Sequence, residues 1–159
     1  MTFIQFAPSL LATYPSTWSA DWAWGCPLIV LTVIIHVLGL GVIKQRAFSV
    51  SGRTARQRHH MAASLLIIAG ATLSATLLHG VEAFLWAVAY LFLKAVPDRS
   101  SAMLYSLNAM TSYGHTNLAL VDRWHLMGAL EALNGWLLFG LTTAFLFAVI
   151  DRVWMPEAK

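Results

Sequence analysis

Residues 26–43 of the chain, CPLIVLTVIIHVLGLGVI, run for eighteen positions without an Asp, Glu, Lys or Arg. At a rise of about 1.5 Å per residue, such a run just crosses a hydrocarbon core of about 30 Å. Composition turns this fit into a constraint. Only 11% of the residues are charged and 58% are apolar, with a mean hydropathy of +0.67, where a soluble domain carries roughly 25% charged residues. The chain lacks the polar material to cover a surface in water, which excludes a soluble single domain, and it is too apolar to be disordered. An all-α integral membrane protein is expected, because a single chain segment in lipid must satisfy its backbone internally. The one cysteine, Cys26, excludes a disulfide framework and an all-cysteine metal site.

The excess of base over acid, 10 against 7, is concentrated in one place: Lys44, Arg46, Arg53, Arg56 and Arg58 are half of all basic residues. No acidic residue lies within 44–61. A basic stretch between apolar runs is a topology signal and not a nucleic-acid surface; it places 44–61 in the cytoplasm. Anionic lipid headgroups are a fitting partner for 44–60, where His59 and His60 follow the arginines. The expected order follows from that anchor. Residues 1–25 lie outside as an interfacial segment with Tyr14, Trp18, Trp22 and Trp24 at headgroup level, and lack the basic start of a signal peptide. A first transmembrane helix spans 26–43. A second spans 62–96, longer than a perpendicular crossing needs, and so is tilted, protruding or broken near Gly80. Pro97, Asp98 and Arg99 mark the outer surface, 125–151 is the last span, and 152–159 is a cytoplasmic tail. A multi-pass protein of an inner or plasma membrane is expected, N-terminus outside and C-terminus inside.

Residues 100–123 fit no simple span. Ser100 and Ser101 can cap a short helix over 100–112, too short and too rich in Ser, Thr and Asn to cross. The loop 113–123 has little helical periodicity, and both flanks return to the outer side. A half-helix followed by irregular backbone reads as a re-entrant segment, tolerated at membrane depth only inside protein or along a wet path.

The stretch MLYSLNAMTSYG within this segment, and GALEALNGWLLFGLTTAFLFAV after it, resemble the pore module of the two-transmembrane potassium-channel family and of small bacterial ion-channel-like proteins. The resemblance covers residues 79–150. It implies an outer helix over 62–96, a pore helix over 100–112, a filter and outer loop over 113–123, a pore-lining inner helix over 125–151, and a homotetramer, since one loop cannot surround an ion. The implied filter is Thr111, Ser112, Tyr113, Gly114, His115, Thr116 and Asn117. Its backbone carbonyls and hydroxyls would replace the hydration shell of a permeant monovalent or divalent cation, with no other cofactor. Thr111 and Ser112 stand where the family has two threonines and Gly114 where it has its first glycine. His115 replaces the tyrosine, Thr116 the second glycine and Asn117 the aspartate. A left-handed angle at Thr116 would cost about 1–2 kcal/mol in each chain, which puts K⁺ selectivity in doubt and favours a remodelled filter. His115 would either face the pore as a pH- or metal-sensitive group or pack behind the loop. Thr111 and Ser112 would either face the axis or bond within the end of the pore helix.

Glu131 and Asn134 are expected to support the filter, Glu131 through hydrogen bonds to the loop or, in its other reading, as a polar contact between spans. Gly135 and Gly140 are expected as hinge or close-contact positions, and Thr142, Thr143, Phe145 and Phe147 as inner cavity wall and hydrophobic constriction, with apolar packing the other reading of the two phenylalanines. His79 and Glu82 share a helix face at i, i+3 and can supply two metal ligands. Their bland reading pairs Glu82 with Lys94, Arg99 or Arg123. His36 is expected to bond between helices. The leading expectation is therefore a tetrameric pore-loop cation channel, not an enzyme; no soluble-enzyme motif is present. The alternatives are a membrane-embedded metal-binding protein or enzyme using His36, His79, Glu82, His115 and His125, and a channel-fold scaffold or subunit that does not conduct.

Overall fold

The structure, a computed structural model, describes residues 15–54, 60–114 and 118–154. These form helices α1 (Pro15–Thr54), α2 (His60–Phe92), the short α3 (Arg99–Met110) and α4 (His125–Trp154), with a 3₁₀ turn at Asp122–Trp124 before α4. No strand occurs among the described residues. Three stretches are long and apolar enough to cross a membrane: Trp18–Ser49, Met61–Phe92 and Asp122–Val153. α1 starts well before Cys26, taking in the Trp-rich half of the segment expected at the interface, and carries Pro27 inside it. α2 is continuous through Gly80, whose surroundings are open.

Polarity is distributed inside out. Large apolar side chains cover the exterior: Leu38 is 66% exposed, Leu66 74% and Phe147 73%. Meanwhile Asp21, His36, Glu82, Ser106, Glu131 and Asn134 are all buried. Water would reverse that arrangement; a hydrocarbon solvent explains it, because polar side chains there find partners only in the bundle interior.

The larger core lies around α3. Ala83, Trp86, Ala87 and Tyr90 of α2 meet Ala102, Tyr105 and Ala109 of α3, and Met127, Leu130 and Leu138 of α4. Small residues let the backbones approach, as between membrane helices generally. A Cβ on Gly135 would lie 2.1 Å from the Met110 carbonyl oxygen, so glycine lets the last turn of α3 touch α4. A second cluster, Ala71, Val149 and Val153, closes the opposite end. There Lys44 and Arg152 both lie over the Phe48 ring, at 5.7 and 6.0 Å.

Hydrogen bonds define both ends of α3. Its N-cap is Asp98 and not the expected Ser100–Ser101 pair: the Asp98 carboxylate accepts from the Ser101 N–H at 2.9 Å and the Ser101 hydroxyl at 2.7 Å. At the C-terminus, Ser112 N–H donates to Ala109 O and Tyr113 N–H to Asn108 O, both at 3.0 Å, with Ser112 left-handed at φ +54°. α2 ends the same way: Lys94 N–H donates to Leu91 O, Ala95 N–H to Tyr90 O, and Lys94 has φ +52°. Both are Schellman stops built without the usual glycine. After the loop, Val121 N–H donates to Ala95 O at 3.1 Å.

Candidate functional site

Two buried polar groupings hold the helices together, and the expected site residues distribute between them and the exposed end of α3. Thr111 caps α3, its hydroxyl donating to Leu107 O at 2.7 Å, the helix-terminal bond that was one of its two readings. The Ser112 hydroxyl oxygen accepts from Trp136 Nε1 at 2.9 Å. Tyr113 is 85% exposed and Gly114 takes φ +91°, an angle that favours glycine. His115, Thr116 and Asn117 lie outside the described residues.

Behind α3 sits Glu131. Its Oε2 accepts from the Tyr90 hydroxyl at 2.6 Å, and its Oε1 contacts the Ser106 hydroxyl. Ser106 Oγ also lies 2.7 Å from Ala83 O. One hydroxyl has one proton, so Ser106 can donate to only one of its two neighbours. If the Ala83 carbonyl, an acceptor only, takes it, the Ser106–Glu131 contact is made by a carboxyl proton of Glu131. Glu131 thus makes a polar contact between helices, to α2 and α3, and not to the loop; its side chain meets Ser106, five residues before Thr111. Asn134 ties α4 to α1, its Nδ2 donating to Thr32 Oγ1 at 2.9 Å. Asp21, which the sequence reading passed over, accepts from Met127 N–H at 3.1 Å and caps the start of α4 from another helix. It is the one acidic residue before Glu82, and that isolation was the available signal.

The second grouping joins α1, α2 and α4. His36 Nδ1 lies 2.8 Å from Glu82 Oε1, and His79 Nδ1 lies 3.3 Å from Glu82 Oε2. On the far side, the Nε2 atoms of both histidines lie 3.0 Å from the Thr142 hydroxyl. His36 and Glu82 are fully buried, while a quarter of His79 is exposed. Glu82 therefore pairs with the two histidines and not with Lys94, Arg99 or Arg123. It lies ten residues before the end of α2, about 15 Å from the cations beyond it. His36 bonds between helices as expected. His36, His79 and Glu82 offer ligand atoms within 4.8 Å of one another. His125 stays apart, 59% exposed and 3.8 Å from Asp122.

Gly140 has open space around it, and Thr143 is exposed with its hydroxyl bonded to Phe139 O. Phe145 packs partly buried on the second cluster, and Phe147 faces outward. A groove of about 880 Å³ runs between α2, α3 and α4; His79, Thr111, Ser112, Trp136 and Thr142 all line it. Compared with protein-family models, with curated proteins and with solved structures, the chain matches none.

Proposed function

We propose that four copies of this chain form a pore-loop cation channel with a non-standard filter, Thr111 to Asn117, and without K⁺ selectivity of the usual kind. The observation that carries this reading is where α3 stops. Its last residue, Met110, abuts Gly135, ten residues into α4. That is about 15 Å from the helix start, half of a hydrocarbon core of about 30 Å. The chain is back beside Ala95, close to where it left α2, by Val121. Residues 99–121 therefore read as a re-entrant segment.

Irregular backbone at that depth is tolerated only inside protein or along a wet path. In one chain Thr111, Ser112, Tyr113 and Gly114 are exposed, so something other than lipid must cover them. Further copies around an axis, enclosing a wet path, do so. The C-terminal end of α3 would then point its partial negative charge at the path, which favours cations. The left-handed Ser112 and Gly114 turn the backbone where successive carbonyls would have to face an ion. In this reading the basic stretch, which begins inside α1 with Lys44, Arg46 and Arg53 and not in a loop as expected, lies in the cytoplasm, and no catalytic chemistry is assigned.

Light scattering on protein purified in mild detergent tests the assembly. A protein mass of four 17.5 kDa chains is expected; a monomer or dimer across detergents would contradict the reading, because a single loop cannot enclose an ion.

A further inference from the structure

We propose that His36, His79 and Glu82 bind one divalent transition-metal ion of the Zn²⁺ class, reached from the groove that His79 lines. The inference does not depend on conduction.

Glu82, His36, Thr142 and His79 form a closed ring of four polar contacts. With Glu82 ionised and both imidazoles neutral, the ring contains three protons: one on each histidine and one on Thr142. One contact must then go without. The weakest contact of the ring is at Glu82 Oε2, which is fully buried and faces His79 Nδ1 at 3.3 Å without a well-aligned hydrogen bond. A buried carboxylate oxygen facing an imidazole lone pair is costly, and a cation between them removes the cost.

The orientation of the rings favours a metal ion. Both histidines turn Nδ1 toward the Glu82 carboxylate and Nε2 toward Thr142. With an ion held by the two Nδ1 atoms and the carboxylate, both Nε2 atoms carry hydrogen, and the two lone pairs of the Thr142 hydroxyl accept both. Thr142 would thus fix the tautomers, as partners behind metal-bound histidines do. Two imidazoles and one carboxylate suit Zn²⁺ and leave a fourth position open, whereas Ca²⁺ and Mg²⁺ prefer all-oxygen cages. Ligand atoms in a zinc tetrahedron stand about 3.4 Å apart, so the present separations, all within 4.8 Å, need only modest closing. The ion would join α1 to α2 beside α4.

The test is metal stoichiometry on untagged full-length protein in detergent, stripped with chelator and titrated with Zn²⁺. A background carrying Cys26→Ser, His59→Ala and His60→Ala removes the one thiol and the two histidines of the basic stretch. One Zn²⁺ per chain is expected in that background, weakened at least tenfold by His79→Ala and by Glu82→Gln. Thr142→Val, which leaves all three ligands in place, should weaken binding about tenfold. Co²⁺ in the same protein should give visible d–d bands without a thiolate charge-transfer band, a readout that serves if either ligand variant fails to fold. Absence of stoichiometric Zn²⁺, or binding lost with His59 and His60 and unmoved by Thr142→Val, overturns the proposal. Metal bound by a protein that conducts nothing would contradict the channel reading and support this one.

Discussion

Glu131 binds Tyr90 and Ser106 in the bundle interior, and the proton count favours a carboxylic acid there over a carboxylate. Glu131→Gln supplies an N–H₂ donor and a carbonyl acceptor in the same places, so thermal unfolding in detergent should change little. Glu131→Ala removes the close partner of the buried Tyr90 hydroxyl and one of the two partners of Ser106, and should cost about 2 kcal/mol; equal loss in both variants would show that the negative charge itself is needed. The two glycines of α4 give a second contrast. Gly135→Ala drives a methyl group into the Met110 carbonyl and should destabilise by about 2 kcal/mol or more. Gly140→Ala meets open space and should be neutral or stabilising by up to about 1 kcal/mol. Comparable melting temperatures for the two variants would refute the close contact between α3 and α4. The sequence singled out Glu131, Asn134 and Gly135 but not their partners. Thr32 and Asn134 are 102 positions apart and meet through helix packing, which local periodicity does not encode.

Among the helices, α3 depends most on its ends. The Ser101 hydroxyl and N–H both bond the Asp98 carboxylate, and these bonds hold its pKa below the ordinary carboxylate range, the side-chain bond contributing most. A lowered folded-state pKa means that the stabilisation is fully present above the unfolded value of about 3.9 and is lost as pH falls through the lower folded value. Melting temperature followed through that acid window should fall more for the natural chain than for Asp98→Ala, which lacks the titrating cap. Parallel curves would remove Asp98 from the account. At the end of α2, Lys94 occupies a left-handed position, so Lys94→Gly should stabilise by about 1 kcal/mol; destabilisation would mean that the lysine side chain makes a contact worth more than the strain. The apolar runs behind α1, α2 and α4 were plain in the sequence because each helix must be long and apolar to cross lipid. The helix ends were less plain. Ser100–Ser101 looks like a cap, but the acidic residue just before it accepts both serine bonds, and neither Lys94 nor Ser112 advertises a left-handed stop as glycine would.

Among the described residues, the molecule has an apolar exterior, a core that mixes apolar side chains with buried polar ones, and a short helix whose last residue packs on Gly135, with Thr111 to Gly114 uncovered in a single chain. Composition alone made the membrane legible. The convergence of His36, His79 and Glu82 was only half legible: the i, i+3 pair shares one helix, but its third member comes from another, 46 residues before Glu82. In the proposed channel, assembly around the exposed α3 terminus makes the cation path. Flux into liposomes holding the purified protein, under K⁺, Na⁺ and Ca²⁺ gradients, tests this most directly. Cation-dependent flux is expected, without strong preference for K⁺ over Na⁺, and it should change in Ser112→Ala. No flux under any gradient, from protein shown to be tetrameric, would contradict it.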